Sequence, residues 1–371
     1  MQKITSLAAA GVANLSSEPY VKWTDPSVEP GVDGEAQLQE ELFATVRKTQ
    51  EHNRAIHGRA FRGTHVKTQG IVKGVLTVLP DLPPALARGF CSAANAGRAH
   101  DVALRYANEP SFLQDDRAPG PRGCGLKVFG VAGDFLDPVG ARAGTQDLTF
   151  NNAPLIELRD VRTARDIFRI RERHFREPGE IEPELKKRDD KDLQLAPAQL
   201  PNKHFLSYVF YSQSAYRWGD YVAKYALFPT VDVAALEKFK ITDAADSEQH
   251  SRWIREYFDT HEATYDLRVQ LCQNVTAQPV EDASVPWDET AFPFQTVARI
   301  VFPAGQDSFS TQRREFWEDH VRLSPWFGLA EHQPLGSINR LRRELYKVSE
   351  GFRSKENKKE IVDIKSVSEI P

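Results

Sequence analysis

The stretch HVKTQGIVKGVLTVL, residues 65–79, decides the fold class. It is short, rich in β-branched residues and bounded by turn formers, which is the texture of a strand. Three downstream runs repeat it: DVALRYANE (101–109), GCGLKVFGVAG (123–133) and LTFNNAPLIEL (148–158), separated by Gly, Pro and Asp. The same texture resumes in HFLSYVFYSQSAYRWGDYVAKYALFP (204–229), YDLRVQLCQNV (265–275) and QTVARIVFP (295–303). Short strands at turn-bounded spacing predict a closed or nearly closed antiparallel sheet.

Helical periodicity flanks these runs. Leu42, Phe43, Val46 and Ile56 fall near helical spacing and predict a helix over 40–57, preceded by an arm laid over the fold. Residues 160–175 and 310–321 also read as helical, whereas the charged, proline-bounded segment 177–197 reads as a solvated loop. In GSINRLRRELYKVSEGFR (336–353), Ser337 stands where an N-cap would, and Ile338, Leu341, Leu345, Val348 and Phe352 recur at three- and four-residue steps. The expected organisation is an arm and helix over 1–55, a barrel over 56–310, C-terminal helices over 311–356 and a flexible tail over 357–371.

The chain has 371 residues, of which 40% are hydrophobic, enough to bury a sizeable core. A formal net charge of -4 gives no electrostatic footprint for nucleic acid or an anionic membrane, and the sequence predicts no transmembrane segment. Three widely spaced cysteines without a zinc-ligand pattern read as free thiols, for which the cytoplasm is the default address.

Arg342, Tyr346 and Arg353 share a stripe beside the apolar face of the last helix. A phenol binds iron well only when ionised, and a guanidinium one turn away favours the phenolate. Read alone, R-x-x-x-Y is an ordinary surface pair on an amphipathic helix. His65 opens the first strand after Arg62 and Thr64, and Asn151-Asn152 reads as a turn before a buried run. Together these residues have a chemical logic. A neutral imidazole can move a proton between two peroxide oxygens, an asparagine amide can hold the peroxide without adding a competing base, and Arg62, Arg105 and Arg353 suit paired carboxylates.

Five motifs in order resemble the heme catalase superfamily: RGTHVKTQG, VALRYAN, PRGCGLKVFG, NNAPLIELRD and RLRRELYKVSEGFR. The resemblance spans about residues 56–356. It implies an α+β fold, an eight-stranded antiparallel β-barrel with flanking helices, and heme b bound between barrel and C-terminal helices. It further implies Tyr346 as axial iron ligand, Arg342 bonded to it, His65 as distal acid-base with Asn151 as partner, and Arg62, Arg105 and Arg353 on the heme propionates.

The departures are specific. Catalases commonly have Val before the histidine and Ser after the arginine-aromatic pair, where this chain has Thr64 and Ala107; Ile156 and Ala164 replace phenylalanines over the heme and along the channel. The segments PVEDASVPWDE (279–289) and SPWFGLAEHQPLGSINR (324–340) are similar to the short catalase-related hemoproteins, a branch that includes allene oxide synthases and small peroxidase-like catalases and suggests a homodimer. Thr64 before the distal histidine resembles the allene oxide synthase pattern. The implied activity is cleavage and rearrangement of lipid hydroperoxides; a minicatalase or organic peroxidase is the alternative, and a passive heme binder a third reading.

Overall fold

The computed structural model describes residues 19–242 and 245–371, so the first eighteen residues of the expected arm lie outside the described residues. Its centre is a sheet of strands β1 (Thr68–Val78), β2 (Ala99–Asn108), β3 (Arg122–Val128), β4 (Gln146–Asn151), β5 (Phe210–Tyr211), β6 (Tyr216–Trp218), β7 (Tyr221–Pro229), β8 (Ala263–Leu271) and β9 (Gln295–Phe302). All neighbours are antiparallel, and β1 pairs with both β2 and β9. β5 closes the ring by pairing with β4 through Asn151↔Tyr211 and with β7 through Phe210↔Leu227. Because β6 pairs with the same edge of β7, β5 and β6 are halves of one broken strand, and the barrel has eight staves.

Strand alternation sorts the barrel's two faces. Leu104, Tyr106, Leu126, Leu148, Tyr225, Tyr265 and Phe302 point inward and fill the interior. The outward residues of β2–β4 instead face a helical layer. That layer contains α1 (Glu35–His57), α2 (Val161–Arg173), α4 (Thr311–His320) and α5 (Ser337–Asn357), whereas α3 (Gln249–Thr260) packs Ile254 and Phe258 into the cluster that fills the barrel. Leu42 and Val46 of α1, Ile167 of α2 and Ile338, Leu341 and Leu345 of α5 share one apolar cluster, so the amphipathic stripe of α5 is buried as its spacing predicts.

Several local expectations change. α1 begins at Glu35 rather than residue 40, and LTFNNAPLIEL is a strand only as far as Asn151. Segment 177–197 carries short helical turns at Ile181–Leu185 and Lys191–Leu195. Gly336, not Ser337, occupies the N-cap of α5; the Ser337 hydroxyl accepts from the Val161 amide instead. The tail is not a loose end. Val362 bridges to Val321, Ile364 and Ile370 are buried against Ile71, Ala103 and Trp317, and Arg313 Nε donates to the Pro371 carbonyl at 2.7 Å. Ile364→Ala is therefore expected to lower unfolding free energy by about 2–5 kcal/mol in urea titration, as for other fully buried aliphatic side chains. A loss below about 0.5 kcal/mol, the usual range for surface positions, would show that the tail carries no packing.

Candidate functional site

A cavity of about 1070 Å³, counted out to its mouth, lies between the outer face of β2–β4 and helix α5. It gathers every candidate residue: Arg62, Thr64, His65, Arg105, Asn151, Arg342, Tyr346 and Arg353 all line it. The barrel wall contributes Arg105, Ala107, Gly123, Gly125, Thr149 and Asn151 by simple alternation, and α5 contributes the other side.

His65 does not open β1; it precedes the strand, in the left-handed region at φ 53°. This conformation is uncommon outside glycine and costs roughly 1–3 kcal/mol, so neighbours must hold it. Its amide donates to the Glu109 carbonyl at 2.7 Å, and its carbonyl accepts from Arg105 Nη2 at 2.6 Å. Gly63 lets the same loop slot between two helices, because a Cβ there would lie 2.7 Å from Val46 Cγ1; the Gly63 amide donates to Ser349 Oγ on α5. Burial, then the charges of Arg105, Arg342 and Arg62, push the imidazole down to about 3, so it is neutral at physiological pH.

Asn151 ends β4 opposite Gly123. Its amide lies 2.9 Å from Gln213 Oε1; turned over, its nitrogen would meet the Phe150 and Arg122 carbonyls at 3.2 and 3.3 Å. Gln213 sits in the break between β5 and β6 at φ 62°, and its Nε2 bonds the Leu155 carbonyl. The motifs do not single out Gln213, and its signal, a polar S-Q-S interruption inside an aromatic strand, is weak. Gly123 is likewise missed, although alternating glycines in GCGLKV mark close approach to a strand face. A Cβ on Gly123 would lie 2.4 Å from Asn151 Oδ1 and 2.5 Å from His65 Cε1. The bare glycine is what lets these two side chains lie against the wall.

On the opposite side Tyr346 faces the same space from α5. Burial raises its phenol pKa; Arg342 opposes that and Tyr216 adds to it. The expected bond from Arg342 is replaced by others: Arg342 Nη1 donates to Asn339 Oδ1 at 3.0 Å and to Ser214 Oγ at 3.2 Å. Arg342 thus acts on Tyr346 through space, clamped by the segment 324–340 and by the strand break. The net result is a neutral phenol, which would have to lose its proton to bind a cation.

One end of the cavity is a cluster of buried cations. Arg62 Nη2 donates to the Trp317 and Val321 carbonyls at 3.0 and 2.9 Å, Arg353 to those of Glu318 and Val321, and Arg105 Nε to Thr68 Oγ1. Burial depresses all three guanidinium pKa values, that of Arg105 to about 9, and mutual repulsion adds to the effect in Arg105 and Arg353. Among the described residues Arg353 Nε and Trp317 Nε1 have no hydrogen-bond partner. The carboxylates of Glu318, Asp319 and Glu350 offset part of the cost of burying these charges, and an arriving anion would offset more. Together with the walls of Val46, Phe150, Trp317, Leu323 and Leu345, the cluster fits a flat ligand with an apolar body, negative groups at one end, and a centre reached by a phenol.

The four departures from the catalase pattern, Thr64, Ala107, Ile156 and Ala164, fall in two places. Ile156 and Ala164 do not line the cavity; both pack in the helical cluster, so replacing phenylalanine at these positions opens no room in it. Thr64 lines the cavity beside His65, but among the described residues the imidazole has no hydrogen-bond partner, neither Thr64 nor a hydroxyl at Ala107.

The architecture has solved counterparts. It is similar to a fungal catalase at TM-score 0.59 and 15% identity, covering 92% of this chain and 66% of that one. The chain has the catalase fold. Catalase A from Saccharomyces cerevisiae is similar at 0.59 and 14%, covering 91% and 68%, and a bacterial catalase at 0.54 and 14%, covering 90% and 63%. This catalase-fold chain therefore spans about two thirds of the length of those catalases. No family model and no curated protein matches its sequence. Among the described residues no helix is long and apolar enough to cross a membrane, and all three cysteines are free and buried.

Proposed function

We propose that this chain is a heme-dependent enzyme that cleaves and rearranges fatty acid hydroperoxides, as allene oxide synthases do. The observation that carries the peroxide chemistry is the pairing of neutral His65 with Asn151 over Gly123, across the cavity from Tyr346 and beside the arginine cluster. Heme b, when bound, would supply the redox-active iron for O–O cleavage. Tyr346 would hold the iron as phenolate, biased by Arg342, while Arg62, Arg105 and Arg353 would bind the propionates. His65 takes the hydroperoxide proton at a ring nitrogen, and Asn151, backed by Gln213, donates a hydrogen bond to a peroxide oxygen. In this reading residues 56–310 form the heme barrel and 311–356 carry the axial ligand.

The choice of lipid hydroperoxide over hydrogen peroxide rests on the imidazole's surroundings. Dismutation needs an imidazole held in register to shuttle a proton between two small oxygens. Here Ala107 offers no hydroxyl, and Thr64 places a polar group beside the ring instead. Thr64→Val removes that polar group, which makes no bond to the ring, and is expected to raise oxygen evolution from hydrogen peroxide about two- to tenfold. A minicatalase or organic peroxidase would be little changed by it.

The deciding experiment is a spectrum of the heme-loaded protein followed by a substrate panel. A high-spin ferric spectrum with phenolate character, and loss of diene absorbance with several hydroperoxide regioisomers, is expected. No turnover of those regioisomers with vigorous oxygen evolution would replace this reading by a minicatalase. Only slow turnover, the same in wild type and His65→Ala, would revive a passive binder.

A further inference from the structure

The loop that carries His65 is fastened to the helix that carries Tyr346. Ala60 and Asn357, the last residue of α5, exchange two hydrogen bonds: the Ala60 amide donates to Asn357 Oδ1 and Asn357 Nδ2 to the Ala60 carbonyl, both at 2.9 Å. The Gly63 amide donates to Ser349 Oγ at 2.9 Å. Gln50 of α1 bridges the two elements, its Nε2 donating to the Phe61 carbonyl at 2.6 Å and to the Ser349 carbonyl at 3.1 Å. Gln50 is fully buried and stands outside the cavity wall, whereas Ser349 lines the cavity. The peroxide chemistry uses none of these groups.

Where this seam lies matters more than its strength. Ser349 follows Tyr346 by three residues, so the loop is pinned within one turn of the phenol. Two residues beyond Gly63 stands His65, whose left-handed backbone at φ 53° must be held by its surroundings. Glu109 and Arg105 hold it from the barrel side, through its amide and carbonyl. The Gly63 bond to Ser349 and the Gln50 bridge hold the loop from the helix side. A group that moves a proton must stand within hydrogen-bond reach of the reacting oxygen, and a misplacement near 1 Å costs roughly 10² in rate. Whatever sets the gap between imidazole and phenol therefore sets that reach.

We propose that Ser349 and Gln50 are positioning residues for His65: through them helix α5 fixes the gap across which His65 and Tyr346 face each other. This inference rests on the reading of His65 as the acid-base group and adds what sets its reach. Without the Ser349 hydroxyl the buried Gly63 amide loses its acceptor, and without the Gln50 side chain the Phe61 carbonyl loses this donor. The loop then relaxes away from α5 and the imidazole leaves its line with the phenol, while Tyr346 and the arginine end of the cavity stay in place.

The test compares heme-loaded wild type with Ser349→Ala, Gln50→Met, His65→Ala and Thr49→Val. Thr49 is the control, a buried neighbour of Gln50 whose hydroxyl, among the described residues, bonds only the Thr45 carbonyl of its own helix. With a linoleic acid hydroperoxide, Ser349→Ala and Gln50→Met are each expected to lose roughly tenfold or more in kcat with KM within about twofold, and Thr49→Val to match wild type. Cyanide association with the ferric protein reads the same base without turnover, because hydrogen cyanide must give up its proton to bind. It should slow in both variants toward the His65→Ala rate. Amide exchange across 59–66, which needs no heme, should quicken about tenfold in both. Values of kcat and cyanide rate within about twofold of wild type in both variants overturn the proposal, as does an equal loss in Thr49→Val, which would mean general loosening of α1. A loss in Ser349→Ala alone also overturns it and assigns the effect to the cavity wall. If no fatty acid hydroperoxide is turned over, the function reading fails by itself, and cyanide association still decides the seam. A variant that binds no heme is decided by amide exchange, where an unchanged rate across 59–66 removes the seam.

Discussion

His65→Ala is expected to lower kcat for peroxide cleavage by roughly 10²–10⁴-fold, the range for removing a positioned general acid-base group, while heme binding persists. The separation of effects follows from where the contacts are. The carbonyl and amide of His65, which hold the loop to Arg105 and Glu109, are backbone groups and survive the substitution, whereas the imidazole has no bond among the described residues. Nothing on the Tyr346 side touches it. The pH profile provides a second readout. With the imidazole held down to about 3 by burial and by Arg105, Arg342 and Arg62, His65 stays an unprotonated base as pH falls through the ordinary histidine range. The wild-type acid limb should thus lie well below pH 6.5. A midpoint near 6.5 that vanishes in the variant would mean a solvated, ordinary histidine and would contradict the buried site.

The barrel was legible in the sequence because its staves are short, β-branched and bounded by turns, and that signal is local. Part of the cavity's lining was legible too, since the motifs single out Arg105 and Asn151, but not the glycines of GCGLKV that lie between them on the wall. What escaped depended on partners distant in the chain. His65 reads as a strand residue until Glu109 and Arg105 are seen to clamp its positive φ. Arg342 and Tyr346 are neighbours by helical spacing, but Asn339 and Ser214 offer the guanidinium better-placed oxygens. The tail reads as frayed from its lysines, yet Ile364 and Ile370, spaced irregularly, are what the outer barrel face needed. No element is expected between 230 and 262, although His250, Ile254 and Phe258 recur at four-residue steps on α3 and are buried.

Gly123→Ala should be nearly as damaging as loss of the histidine, for a steric reason. The added Cβ would meet Asn151 Oδ1 at 2.4 Å, His65 Cε1 at 2.5 Å and the Phe150 carbonyl oxygen at 2.8 Å. The last of these belongs to the paired strand β4, whose register Gly123↔Asn151 fixes it, so the wall cannot yield and the two side chains must move outward. A displacement near 1 Å costs roughly 10² in rate when reacting groups are this closely set, and overpacking costs about 1–3 kcal/mol of stability besides. Gly125→Ala is the control. Its Cβ would meet only the end of the Leu323 side chain, Cδ1 at 2.9 Å, which can rotate away on a loop. Turnover per heme and melting temperature should be measured for both. If Gly123→Ala turned over peroxide as fast as Gly125→Ala, then His65 and Asn151 would not form the reacting centre, and the search for it would move along the same cavity toward Glu350 and Arg322, whose ion pair at 2.9 Å lies beyond Tyr346 on α5.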